Sequence, residues 1–235
     1  MRSSTVWLPV LVVLAVAATA VAAGEATSEK GFVPLCNGKD LTGWEGNPDF
    51  WSVKDGTICG QTTKEKPTKG NTFLIWRAGT LEDFELRVSF RIQSGNSGVQ
   101  YRSQDRGNWV VSGYQAEVCN QGGKAGFLYH EKGRKSLARV GEKVVIDAAG
   151  KPNVVGSVGD AKKIAATFKS GDWNHYRIIA RGNHVVHYLN DVQTIDLVDN
   201  DEKGRAMSGI LALQIHAGAP MVVEFKDLRL KRFEK

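Results

Sequence analysis

Phe84, Leu86, Val88, Phe90 and Ile92 alternate with Glu85, Arg87, Ser89 and Arg91. A period of two held over nine residues describes a strand with one face in a core and one toward water, and no helix puts those five apolar side chains on one side. The same period returns in Val99-Gln-Tyr-Arg102, with Gln100 and Arg102 set against Val99 and Tyr101, and in Gly113-Tyr-Gln-Ala-Glu-Val-Cys119, with Gln115 and Glu117 set against Tyr114, Ala116 and Val118. Asp55-Gly56 tolerates positive φ and suits a tight hairpin. Trp173 to Ala180, His184 to Leu189 and Val192 to Ile195, joined at Gly182-Asn183 and Asn190-Asp191, read as an antiparallel meander, followed by strands over Ser208 to His216 and Met221 to Leu230. Residues 121–160 read as loops and short strands, and the one expected helix is short, near Leu197 to Lys203. Antiparallel strands closed by frequent turns make a β-sandwich, and sandwiches of this size form one domain.

Before the first strand, Arg2, an apolar run from Val6 to Ala20 and small residues at Ala20, Ala22 and Ala23 form the pattern of a secretory signal peptide. The expected organisation is a signal peptide over 1–23, a linker over 24–30 and a sandwich over 31–235. The mature protein is then periplasmic or secreted and has no membrane span after processing. Cleavage removes Arg2 from the 31 basic residues and leaves 30 against 25 acidic ones. That excess lies in single residues and pairs such as Lys162-Lys163, without the basic stripe and stacking aromatics of a nucleic-acid binder. Cys36, Cys59 and Cys119 have no metal-binding spacing; a Cys36–Cys59 bridge and buried thiols are equally consistent with export. His184 and His187, three apart in a strand, face opposite ways and do not share a metal. The chain has no Gly-x-Ser-x-Gly elbow, His-Glu-x-x-His, EF-hand loop or phosphate-cradling glycine motif.

Three strands each carry a polar pair at i and i+2: Gln100/Arg102, Gln115/Glu117 and Gln214/His216. Paired side chains stand ~6.6 Å apart and adjacent strands ~4.8 Å apart. If the three strands are neighbours, the six groups tile roughly 10 by 7 Å, the footprint of one or two sugar rings. Trp109, Tyr114 and Tyr129 would supply flat apolar surfaces. The plainer reading is that the outer face of an antiparallel sheet is polar because it meets water. Against it, Gln, Glu and His are not favoured strand residues.

The runs Asp83 to Arg91, Asn96-Ser-Gly-Val-Gln-Tyr-Arg102, Gly113-Tyr-Gln-Ala-Glu117, Gly133-Arg134, Trp173-Asn174, Leu189-Asn190 and Leu213-Gln-Ile-His216, with the opening Phe32 to Trp44, resemble the 3-keto-disaccharide hydrolase family. The resemblance implies an all-β jelly-roll sandwich of the concanavalin A/laminin-G kind. It implies an exported enzyme acting on an oxidised sugar or disaccharide, functionally linked to a sugar 3-dehydrogenase. A ketone at C3 acidifies the C2 proton; a base removes it, the C1 substituent leaves, and water adds to the 2-hydroxy-3-keto-glucal. On that chemistry Glu117 and His216 are base and proton donor in either order. Arg102 would face the keto or enolate oxygen, and Gln100, Gln115 and Gln214 the hydroxyls. A divalent metal could polarise the ketone, but no ligand cluster in the sequence requires a cofactor. Where the family carries Gly-Tyr-Glu-Val-Gln, this chain has Gly-Tyr-Gln-Ala-Glu117, with acid and amide exchanged. Two alternatives are a carbohydrate-binding module without catalysis and a protein-interaction sandwich.

Overall fold

The computed structural model describes Met1 and residues 30–234; the signal-peptide reading, apart from Met1, and the linker, apart from Lys30, lie outside the described residues. Among the described residues, seventeen strands and one short helix follow in order. They are β1 (Val33–Pro34), β2 (Trp44–Glu45), β3 (Trp51–Lys54), β4 (Thr57–Gln61), β5 (Thr72–Trp76), β6 (Phe84–Ser94), β7 (Asn96–Asp105), β8 (Val111–Cys119) and β9 (Leu128–Glu131). After them come β10 (Lys135–Ala138), β11 (Glu142–Ile146), β12 (Pro152–Ser157), α1 (Ala161–Ala165), β13 (Asn174–Arg181), β14 (His184–Leu189), β15 (Val192–Asp199), β16 (Ile210–Ile215) and β17 (Val222–Arg232).

Two sheets pack face to face as a jelly-roll sandwich. One has the order β12-β11-β15-β14-β13-β6-β17-β4-β3, with β1 added on β17, and the other β10-β9-β8-β7-β16-β5-β2. All pairs are antiparallel except β11 with β15. The alternation in β6 does what the sequence requires: Phe84, Leu86, Val88, Phe90 and Ile92 are buried in the inter-sheet core, where β7, β8 and β16 contribute Val99, Tyr101, Tyr114, Ala116, Leu213 and Ile215. Asp55 and Gly56 both take positive φ at the β3–β4 turn, and β13, β14 and β15 form the expected meander.

The helix is not where the sequence placed it. Leu197 lies within β15, where it is buried and the neighbouring Asp196 and Val198 are half-buried. The helix is Ala161–Ala165, started by Asp160, whose carboxylate accepts from the backbone N–H of Lys162 at 2.8 Å and Lys163 at 3.2 Å. Cys36, Cys59 and Cys119 are unbridged, and burial raises the Cys36 and Cys59 thiols above their ordinary values. Among the described residues no helix is long and apolar enough to cross a membrane.

His187 is fully buried in the core beside the Tyr101 hydroxyl at 2.7 Å, and burial lowers its pKa from 6.5 to about 3. His130, desolvated and close to Arg134, falls to about 4. Both imidazoles are therefore neutral in the native state and titrate more readily unfolded. Stability from them is full above pH 6.5 and is lost as pH falls toward those lower values. In denaturant titrations the change in midpoint from pH 7.5 to 5 should be more unfavourable in the wild type than in His187→Gln, with an unchanged slope.

Candidate functional site

The three strands bearing the polar pairs are neighbours, in the order β8-β7-β16. Their outward side chains are not at a wetted surface: Gln100 and Gln214 are 0% exposed, Gln115 2% and Glu117 6%. The sheet curls. Asn71, just before β5, donates to Glu131 on β9 at 3.3 Å, and the amide of Gln214 on β16 approaches the same carboxylate at 3.5 Å, although β9 and β5 are four places apart. Laid flat, four spacings would be about 19 Å. The outward face is thus closed into a trough, and burial there demands hydrogen-bond partners.

They are present as one connected network. Ser103 Oγ donates to Gln100 Oε1 at 2.7 Å and Gln100 Nε2 to Gln115 Oε1 at 2.7 Å. Gln115 Nε2 then donates to Glu117 Oε2 at 2.8 Å and lies 3.4 Å from Gln214 Oε1. The other oxygen of Glu117 accepts from Asn96 Nδ2. Room for the Gln115 amide comes from Gly98, which is paired with Glu117: a Cβ there would lie 2.3 Å from Gln115 Cδ. Desolvation raises the Glu117 carboxyl above its ordinary value, outweighing the opposing hydrogen bonds from Asn96 and Gln115.

Above this network lies a hollow of about 290 Å³ whose walls include Glu117, Glu131, Tyr129, Gln214 and His216. His216 is exposed and its Nδ1 lies 2.6 Å from the Ala217 carbonyl; as the donor there, Nδ1 leaves the Nε2 lone pair free. Tyr129 is half-buried, and its phenol is raised by burial and then by Glu131 and Glu117, so it stays protonated and can donate. A second hollow, about 500 Å³, is lined by Phe127, Val140, Lys124 and Arg139 and shares Asn96, Glu117 and Phe127 with the first. Glu117 therefore stands at the partition between two chambers.

Of the residues singled out in the sequence, Glu117, His216, Gln115, Gln214 and Tyr129 converge on the hollow. Gln100 lies beneath it, supporting Gln115. Three others do not converge. Arg102 is 1% exposed and points away: its Nε donates to Glu82 O at 2.6 Å, Nη1 to Gly182 O at 2.7 Å and Ala206 O at 3.2 Å, and Nη2 to Asp83 at 3.0 Å. The cause is a bulge; Arg102 has φ 48° and the β7–β8 register shifts between Tyr101 and Gln104, which breaks the alternation that paired it with Gln100. Tyr114 sits in the core with its hydroxyl on Asp199 beside Arg134, the side its own alternation with Gln115 dictates. Trp109 lines a separate hollow described below.

Asn71, Asn96, Glu131 and Phe127 were missed. Asn96 lay at i−2 from Gly98, and Phe127 and Glu131 at i−2 and i+2 from Tyr129, so all three could have been found by extending the period; Asn71 comes from a loop that nothing local connects to the site. Among the described residues no group of three or more His, Cys, Asp or Glu is placed to hold a metal ion.

A family model for the 3-keto-alpha-glucoside-1,2-lyase-like domain matches residues 31–231. Among solved structures, a Parabacteroides distasonis protein with the provisional designation glycosyl hydrolase superposes with a TM-score of 0.57 at 19% identity, covering 86% of this chain and 99% of that one. A Bacillus subtilis protein of unknown function with a galectin-like fold gives 0.56 at 10% identity over 86% and 94%. The carbohydrate binding module CBM66 from Bacillus subtilis gives 0.53 at 15% over 80% and 95%. At these identities the likeness is one of fold. No curated protein matches.

Proposed function

This chain belongs to the 3-keto-alpha-glucoside-1,2-lyase-like domain family, and from that premise we propose that it is an exported enzyme cleaving 3-keto-glycosides by elimination and hydration. The observation that carries the reading is the position of Glu117 between two chambers, with His216 on the wall of only one of them. The keto sugar occupies the smaller, amide-lined hollow and the leaving group the larger one, so the C1–O bond crosses at Glu117. His216, through Nε2, removes the C2 proton that the C3 ketone has acidified. Electron density moves into the enolate oxygen, which Tyr129 and the Gln214 amide meet as donors in the role that Arg102 does not fill. As the enolate collapses, the C1–O bond breaks and Glu117, its carboxyl raised by burial, protonates the departing oxygen.

Hydration reverses the roles. Ionised Glu117 takes a proton from the water that attacks C1, and protonated His216 returns one to C2, so the enzyme ends as it began. No covalent sugar–enzyme bond forms, unlike the two-carboxylate retaining glycosidases. A sugar 3-dehydrogenase would supply the substrate. The apolar segment from Val6 to Ala20 supports export.

The test is incubation of the protein spanning residues 24–235 with a 3-keto-glucosyl disaccharide and its unoxidised parent. Ultraviolet absorbance of the glucal and release of the second sugar are followed. Release from the keto substrate alone is the expected result. Binding of both sugars with release of neither would make the protein a carbohydrate-binding module instead.

A further inference from the structure

A third hollow, about 530 Å³, adjoins the keto-sugar chamber and shares Asn71 with it. Asn71 flanks the chamber from the β5 side and Glu117 from β8, with β7 and β16 between. The third hollow is therefore reached at the edge away from the leaving-group chamber. Its lining contains Trp109, Phe50 and three amides, Asn47, Asn71 and Asn108.

Two features set this hollow apart from an ordinary surface dent. Gly107, Asn108 and Trp109 take φ of 81°, 52° and 55° in succession. Left-handed backbone is natural for the first two and costly for tryptophan. The strained turn is fixed by the Phe73 N–H, which donates to Trp109 O at 2.9 Å, and it holds a half-buried indole against the hollow. Gly or Asn at 109 would form the turn more readily, so the turn alone does not account for the ring. The second feature is a pair of amide donors on the rim. The side-chain NH₂ groups of Asn47, half-buried, and Asn108, exposed, line the hollow and donate to no group among the described residues, so both can turn to a bound hydroxyl.

A flat indole flanked by amide donors matches a pyranose, which presents an apolar C–H face and a rim of hydroxyls. We infer that Trp109, Asn47 and Asn108 form a distal subsite for a further sugar ring attached to the keto sugar on the side opposite the scissile bond. This inference rests on the proposed reaction and narrows its substrate to a 3-keto-glycoside extended by one more pyranose, at least a trisaccharide.

The experiment compares kcat/KM for a 3-keto-glucosyl disaccharide with that for the trisaccharide carrying an additional glucosyl unit on O4 of the keto ring. The wild type should favour the trisaccharide by about tenfold or more. Trp109→Ala should bring the ratio below about threefold, while Trp109→Phe, which keeps a flat ring, should retain most of it. Should Trp109→Ala not fold, the double variant Asn47→Ala with Asn108→Ala is measured in its place and should lower the ratio about fivefold. A wild type indifferent to the extra ring, or a ratio that survives these changes, overturns the subsite and leaves the reaction standing. If the wild type turns over neither substrate, the proposed reaction falls, and cellotriose titrated against intrinsic tryptophan fluorescence judges the subsite alone. Saturable quenching lost in Trp109→Ala supports it, and quenching unchanged in Trp109→Ala, or absent in the wild type, overturns it.

Discussion

Glu117→Gln is expected to lower kcat/KM on a 3-keto-glucoside by about 100-fold or more, and His216→Ala by a similar factor, because each removes one of the two proton transfers. The substituted amide keeps the size of the Glu117 side chain but cannot give up a proton to the departing oxygen. The pH profile separates the roles. With Glu117 as donor, wild-type kcat/KM falls as pH rises through its raised pKa, and Glu117→Gln abolishes that limb. A limb that instead rises with pH and vanishes in Glu117→Gln would make the carboxylate the base and exchange its role with His216. Near-normal rates in both variants would remove the pair from the chemistry altogether. A stability effect accompanies this. A carboxyl whose native pKa is raised holds its proton in the folded state after the unfolded chain has lost it. Its stabilising contribution is therefore full below the ordinary 4.5 and disappears as pH climbs through the raised value. Ionised Glu117 is a cost that the fold carries at neutral pH.

The second large effect concerns a residue that does not touch the site. Arg102→Ala should cost about 3 kcal/mol or more, since it leaves the carbonyls of Glu82, Gly182 and Ala206 without their donor and takes the cation from Asp83. Against a total stability of about 5–15 kcal/mol this is a large share, and the melting temperature should fall by roughly 6–12 °C. Activity assayed well below the new midpoint should stay within a few-fold of wild type. Were Arg102 a group that stabilises the enolate, the variant would lose turnover at every temperature, which is the outcome that excludes the structural role.

Arg102 also shows where sequence reasoning stops. The strands, the meander, the Asp55-Gly56 hairpin and the neighbouring polar pairs were legible because the period of two is a local property that each segment carries by itself. Glu117, Gln115 and Gln214 meet because three such segments lie side by side with their faces matched. A bulge defeats that logic: one residue at positive φ sends Arg102 out of line, and the next ordinary residue gives no sign of it. Tyr114 is a different case, since its alternation with Gln115 already assigned it to the core and only its aromatic ring suggested otherwise. Asn71 was invisible for a third reason. It joins the site through curvature of a whole sheet, a quantity no short window of sequence contains. Leu197 to Lys203 failed as a helix because its first three residues pair with β11 on one side, and Leu197 and Val198 with β14 on the other, partners that no local window reveals.

The place of β6 between β13 and β17 has a kinetic corollary. Its long apolar row is completed on one flank by residues that lie about a hundred positions further along, and on the other by Val222–Arg232. Neither neighbour exists while the strand itself is being synthesised. Acquisition of the native state is thus governed by distant encounters, the topology of slower folding.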